Sequence, residues 1–313
     1  METATRQSRV GLVLSGGGAR GFAHIGLLRA LEAEGLRTDA IAGTSIGAIL
    51  GAFYAAGYST EEIYTLASAL SWRDVIDVSF QFGFIKGQKL HGFLAEHLPA
   101  TFAELKKPFA VTTTDIESGE EVIITSGDLI TALRASACYP GAFEPVQFRG
   151  RTLADGGIVN NLPVAALAFL DVSFSIASDT TPPRRASFAE RESGRWWERM
   201  RAAVRLERRN PMVQMLLRSS DIMQSVLTDM QHSLHPADVH VRHLMPHIRV
   251  ESFWAVEEIV ALGEAAARSS FAQARLSERL PRAALTRTPS AQPSPTGQPA
   301  SSAHRRGRGE RVD

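Results

Sequence analysis

The sequence predicts an α/β protein built on a mostly parallel sheet with helices on both faces. Three observations predict it. Short apolar runs of strand length alternate with longer runs of helical periodicity. Two glycine-rich turns each follow an apolar run and precede a helical one. Over 313 residues, 44% are apolar and 21% charged, which excludes a wholly disordered chain, a collagen-like chain and a coiled coil.

The elements follow in order. Residues 9–14 form a buried strand. Residues 21–34 read as a helix, with Phe22, Ile25, Leu28 and Leu31 on one face and Gly35 as its stop. Residues 40–42 make a second strand and residues 46–56 a second helix, closed by Gly57. Strands follow at 108–114 and 121–125, then a helix at 128–136. Later strands fall at 172–177 and 237–242, and a terminal helix at 254–268. A β-α-β-α order of this kind places parallel strands under helices. Residues 75–85 alternate apolar and polar through Ile76, Val78, Phe80, Phe82 and Phe84. They read as a half-buried strand, with an apolar flap over a binding pocket as the sharper alternative.

The stretch 40–60 carries no charge, and Gly43, Gly47 and Gly51 have the spacing of membrane-helix contacts. It is rich in Gly and Ala rather than Leu and Ile, and it contains Thr44 and Ser45. A buried strand, a tight turn and a buried helix explain it better than a membrane span. Near the start only 10–14 is apolar, too short for a secretory core. One cysteine, Cys138, leaves no internal disulfide and fits a reducing compartment. The expected location is cytoplasmic, with peripheral contact at the inner membrane face.

Lys and Arg number 34 against 33 Asp and Glu, a net charge of +1. That balance argues against bulk nucleic-acid binding, so no nucleic-acid partner is expected. Residues 184–209 concentrate arginines around Trp196 and Trp197. This suits either a membrane surface or a solvated helix. From 287 to 313 the chain is rich in Pro, Ser and Arg and has almost no large apolar residue. It reads as a disordered tail following one folded domain at 8–270.

The first chemical motif is Gly16-Gly17-Gly18-Ala19-Arg20-Gly21, between a strand and a helix. Backbone amides at such a helix start bind negative charge. Gly16, Gly18 and Gly21 also satisfy the dinucleotide fingerprint, which makes a nucleotide-binding regulatory or oxidoreductase domain the alternative reading. That reading wants an acidic residue at the end of the next strand. The next strand ends instead in Gly43-Thr44-Ser45-Ile46-Gly47, a G-x-S-x-G sequence, which marks a nucleophilic serine on a sharp turn. A lysine would have to follow Gly21 for a phosphate loop, and Phe22 stands there.

Serine needs a base. His24 lies in the first helix, where a core role is the ordinary reading. His240 and His243 cannot share a ligand if 237–242 is a strand, because their side chains leave opposite faces. No metal and no cofactor is expected. Asp155 stands in Leu153-Ala154-Asp155-Gly156-Gly157, which by itself reads as a turn.

Taken together, the glycine loop, the G-x-S-x-G elbow and the D-G-G motif resemble the patatin-like phospholipase family, where they occur in this order. The segment from Ala135 through Cys138, Tyr139 and Pro140 to Val146 resembles the family's stretch before the aspartate. The resemblance runs from about Val10 to Ala267 and implies the family's three-layer α/β/α fold. It implies that Ser45 is the nucleophile and Asp155 its base, a dyad without histidine. The amides of Gly16, Gly17 and Gly18 would hold the oxyanion. Arg20, Gly21, Gly43, Gly47, Gly156 and Gly157 would support these motifs. The implied substrate is a lipid or other acyl ester.

Overall fold

The computed structural model describes residues 9–69, 87–140, 143–182 and 211–279. The 75–85 strand or flap, the arginine-rich segment at 184–209 and the 287–313 tail lie outside them.

Among the described residues the core is a sheet of strands β1 (Val10–Leu14), β2 (Ala40–Thr44), β3 (Phe109–Asp115), β4 (Glu121–Ile124), β5 (Val146–Phe148), β6 (Arg151–Asp155), β7 (Phe174–Asp179) and β8 (Val239–Arg242). The spatial path is β5-β6-β3-β2-β1-β7-β8, with β4 against β3. From β3 through β2, β1 and β7 to β8 every pairing is parallel. The pairings of β3 with β4 and β6, and of β5 with β6, are antiparallel. The sheet is therefore mixed, and Asp155 lies in its antiparallel part.

The helices are α1 (Ala23–Ala33), α2 (Ile46–Ala56), α3 (Thr60–Ala69), α4 (Gln88–His97), α5 (Leu129–Ser136), α6 (Pro211–Leu234), α7 (Val256–Ala274) and the short α8 (Leu276–Arg279). Alternation along the parallel strands separates two cores. Leu12, Leu14, Ile41, Phe109, Val111 and Ile176 belong to the larger one, shared with α1, α2 and α7. Val13, Ala40, Ala42, Ala110 and Ala177 meet Leu162, Ala166, Leu167 and Leu170 on the other face. These last residues belong to a segment whose 3-10 helix runs Val164–Leu170. Alanine on that face lets the short helix lie close to the strands.

The expected α1 begins later than its periodicity suggests. Gly18–Phe22 winds as a 3-10 turn before α1 starts at Ala23, because the glycine loop feeds straight into the helix. β2 extends through Gly43 and Thr44. β5 and β6 were legible only as turn sequence: each has five residues or fewer, and Asp155 before two glycines carries a strong turn signal. α2 closes at Gly57, which takes a left-handed φ of 95°. No helix among the described residues is long and apolar enough to cross a membrane. The uncharged stretch from 40 divides between a strand and α2.

The register around β3 positions the site. Thr112 pairs with Thr44 on one edge and Ile123 on the other. Its neighbour Thr113 pairs with Asp155 and Val122. β4 is continuous along one edge, so β2 and β6 share the opposite one. β6 takes over where β2 ends, and the strand ends carrying Ser45 and Asp155 meet there.

Candidate active site

Ser45 sits between β2 and α2 with φ 55° and ψ −125°. An L-residue seldom adopts this conformation, and holding it costs on the order of 1–3 kcal/mol. The turn is possible because the residue after next has no side chain. A methyl group on Gly47 would stand 2.3 Å from the Leu14 carbonyl oxygen and 2.5 Å from that of Ser15. The elbow is thus packed directly on the strand that leads into the glycine loop. A methyl group on Gly43 would meet the Ala48 amide nitrogen at 2.7 Å.

The Ser45 side chain lies near enough to Asp155 to favour its charged form. Asp155 is buried, with 3% of its surface exposed. It also accepts the Gly157 amide at 2.7 Å. Its own amide donates to Cys138 O at 2.9 Å, and its carbonyl accepts Thr114 Oγ1 at 2.9 Å. Burial pushes the Asp155 carboxyl up to about 6, against the Gly157 amide and the nearby Ser45 side chain, which favour its charged form. Gly156 packs on the same junction, since a methyl group there would lie 2.4 Å from Thr112 O.

The glycine loop faces this pair. Gly16 stands so close that a methyl group on it would meet Ser45 Cβ at 3.2 Å. Its amide is already committed, donating to Asn161 O at 3.2 Å, and the Ala19 amide donates to Val250 O at 2.9 Å. Gly17 and Gly18 lie between them, and neither amide has a protein acceptor among the described residues. Of the three amides expected from the motif, Gly16 is therefore spent on fixing the loop. Gly18 needs its left-handed φ of 57°, and Val250 leaves no room for a side chain there. Gly21 packs against Ile46, the residue after the serine. Arg20 is buried. Its charge reaches Tyr139, whose pKa burial raises and Arg20 opposes.

Two contributors carry no motif that pointed to them. Asn161 clamps Gly16 twice, through its carbonyl and through Nδ2 donating to Gly16 O at 3.3 Å. Thr180 Oγ1 donates to the same Gly16 oxygen at 2.9 Å. Asn161 follows the D-G-G motif by a few residues and was within reach of sequence reasoning. Thr180 lies just past β7 and was not.

The histidines are engaged elsewhere. Among the described residues none is hydrogen-bonded to Ser45 or Asp155. His24 is fully buried and bonds to Ser15 O through Nε2 and to Ser178 Oγ through Nδ1, both at 2.8 Å. Ser178 Oγ also meets His243 Nε2 at 2.8 Å. A carbonyl can only accept, so His24 Nε2 carries a proton. Neutral rings then leave one arrangement: His243 Nε2–H donates to Ser178, and Ser178 donates to His24 Nδ1. Burial holds His24 down to about 4 and His243 down to about 3. His240 turns the other way, its Nε2 3.2 Å from Asp179 Oδ2.

An apolar pocket lies beside the serine turn, lined by Phe22, Ile46, Leu50, Phe53, Ile63 and Phe93 among others. The nucleotide alternative finds little here. Two of the loop amides are occupied, and β2 ends in Thr44 rather than in an acidic residue.

Fold and site together define a class: α/β proteins with a serine elbow set against a buried carboxylate and beside a glycine loop. The chain belongs to the patatin-like phospholipase family, whose model matches residues 12–168. An uncharacterized NTE family protein of Mycobacterium tuberculosis is 35% identical over 202 residues, covering 61% of this chain and 55% of that protein. The protein named lysophospholipase NTE1 of Yarrowia lipolytica is 34% identical over 206 residues, 61% of this chain and 14% of its own length. The chain thus spans about half the length of the mycobacterial relative and a small part of the fungal one. VipD from Legionella pneumophila shares the fold with a TM-score of 0.50 at 15% identity, over 86% of this chain and 67% of VipD.

Proposed function

We propose that this protein is a serine hydrolase of lipid acyl esters, working through Ser45 and Asp155. The observation that carries this reading is the strained Ser45 elbow beside Asp155, a buried carboxyl with a raised pKa. A carboxylate of ordinary pKa is a poor base toward an alcohol; one raised toward neutrality is better matched.

In the acylation step Asp155 takes the hydroxyl proton as Ser45 Oγ bonds to the ester carbonyl carbon. The carbonyl π electrons move onto oxygen, where the amides of Gly17 and Gly18 receive the charge. Each well-aimed donor of this kind contributes roughly 3 kcal/mol of barrier lowering. Collapse of the intermediate expels the alcohol, which takes its proton from Asp155. Water then repeats the sequence on the acyl-enzyme, releasing the fatty acid and restoring Ser45.

The family supports a fatty-acyl substrate, such as a phospholipid or lysophospholipid. Contact with a lipid surface is peripheral in this reading. The test is Ser45→Ala against a p-nitrophenyl ester, with fluorophosphonate labelling of both proteins. Turnover should fall by more than about 1,000-fold and labelling should vanish. Turnover within about tenfold of wild type, 1.4 kcal/mol of barrier, removes Ser45 as nucleophile.

A further inference from the structure

We propose that Ser136 is a positioning residue that holds the Ser45 elbow by inserting its hydroxyl into the β2–β3 ladder; the inference rests on Ser45 as nucleophile. β2 and β3 are parallel, and Ile41 N donates to Pro108 O at 3.1 Å. A parallel ladder repeats every two residues on each strand. Two steps further along, the partner of the Ser45 amide would be Thr112 O. The structure has no such direct bond. The Ser45 amide donates to Ser136 Oγ at 2.8 Å, and Ser136 Oγ donates to Thr112 O at 2.7 Å.

The proton positions are fixed without choice. Thr112 O can only accept and the Ser45 amide can only donate, so the hydroxyl must do both. Ser136 is the last residue of α5 and has no exposed surface. Asp128 anchors that helix by accepting the Thr131 amide at 2.9 Å.

The insertion has two consequences. It moves the end of β2 away from β3 by one hydroxyl group, at the point where the next residue of β3 turns to Asp155 of β6. It also gives the Ser45 amide a rigid acceptor while the residue stands at φ 55°. A strained residue keeps its conformation only where its surroundings over-determine it. Without the hydroxyl the amide and the carbonyl are too far apart to bond to each other, and the elbow has less to oppose its relaxation. The loss would appear in the chemical step, since the substrate-binding surface is untouched.

The experiment compares Ser136→Ala, Ser136→Cys and Ser136→Thr with wild type, using p-nitrophenyl butyrate turnover and the rate of fluorophosphonate labelling. Expected for Ser136→Ala is a kcat lowered about 30-fold or more, labelling slowed in parallel and KM within about twofold. Ser136→Thr keeps the hydroxyl and should recover most of the rate. Ser136→Cys keeps the volume with weaker bonds and should fall between; it carries the test if the alanine variant does not fold. Hydrogen exchange at the Ser45 amide should quicken in the alanine variant. Unchanged kcat and labelling, with only a lower melting temperature, would overturn the proposal. If Ser45→Ala still turns over ester, the nucleophile reading itself has failed and the proposal falls with it. The exchange rate at Ser45 would still report whether Ser136 holds the elbow.

Discussion

Thr44 and Asp155 pair with consecutive residues, Thr112 and Thr113, on one edge of β3. One partner arrives on a parallel strand and the other on an antiparallel strand, more than a hundred residues later. Their meeting brings Ser45, the residue after Thr44, beside Asp155 at the strand where the sheet changes from parallel to mixed.

That burial has a stability consequence. A carboxyl raised from 3.8 to about 6 is protonated more readily in the folded chain than in the unfolded one. Its charged form therefore opposes folding above that range, by about 3 kcal/mol at pH 8. Asp155→Asn keeps an acceptor for the Gly157 amide and removes the charge. It should melt higher than wild type at pH 8, with the advantage shrinking toward pH 4, while ester turnover falls at least 1,000-fold. Calorimetry at both pH values checks this, and a lower melting temperature at pH 8 would contradict it.

The same group sets the expected pH dependence of activity. Asp155 acts as base only when deprotonated, so kcat/KM should rise with pH through about 6 and then level. Below that point the rate should drop tenfold per unit. A profile flat from pH 5 to 8 would show that another group accepts the proton.

Acid should also unfold the protein through its buried histidines. His24 and His243 are held at about 4 and about 3, against 6.5 when unfolded. The unfolded chain binds protons first as pH falls below 6.5, so stability falls with it. The loss is about 2 kcal/mol per histidine by pH 5. Asp155 returns a little over 1 kcal/mol across the same range, so the histidines win. Urea unfolding from pH 7 to 5 should show a net decline that falls to about a quarter in His243→Gln. An unaltered slope in that variant would remove His243 as a cause.

Two glycines should behave oppositely. Gly47→Ala drives a methyl group into the Leu14 and Ser15 carbonyls and should abolish turnover with a marked loss of stability. Gly92 lies inside α4, and a methyl group there has nothing within 4 Å. Gly92→Ala should stabilise the protein by about 1 kcal/mol with activity unchanged. Thermal melts with parallel assays decide both, and a tolerated Gly47→Ala would contradict the packing of the elbow on β1.

By itself the sequence determined what depends on neighbours along the chain. The parallel strands and α2 follow from local apolar periodicity, and α2 from 46 to 56 needed no more than a glycine stop. The glycine loop and the serine elbow were legible because strand, turn and helix are contiguous at each. The family resemblance brought Asp155 to the same site, although locally its sequence reads only as a turn. The tertiary structure decided what depends on register. β5 and β6 carry too few residues to show a period, and only the pairing of β6 with β3 and of β5 with β6 makes them strands. The long α6 hides for another reason: it buries Arg218, Ser225 and Thr228 while exposing Met215, Leu216, Met223 and Met230, so its pattern does not announce which face meets the protein. The spending of the Gly16 amide on Asn161, the His24–Ser178–His243 chain and the hydroxyl of Ser136 between Ser45 and Thr112 all join distant segments. Hydrogen bonds of that kind leave no periodic trace in a sequence, because each depends on where a strand edge ends in space.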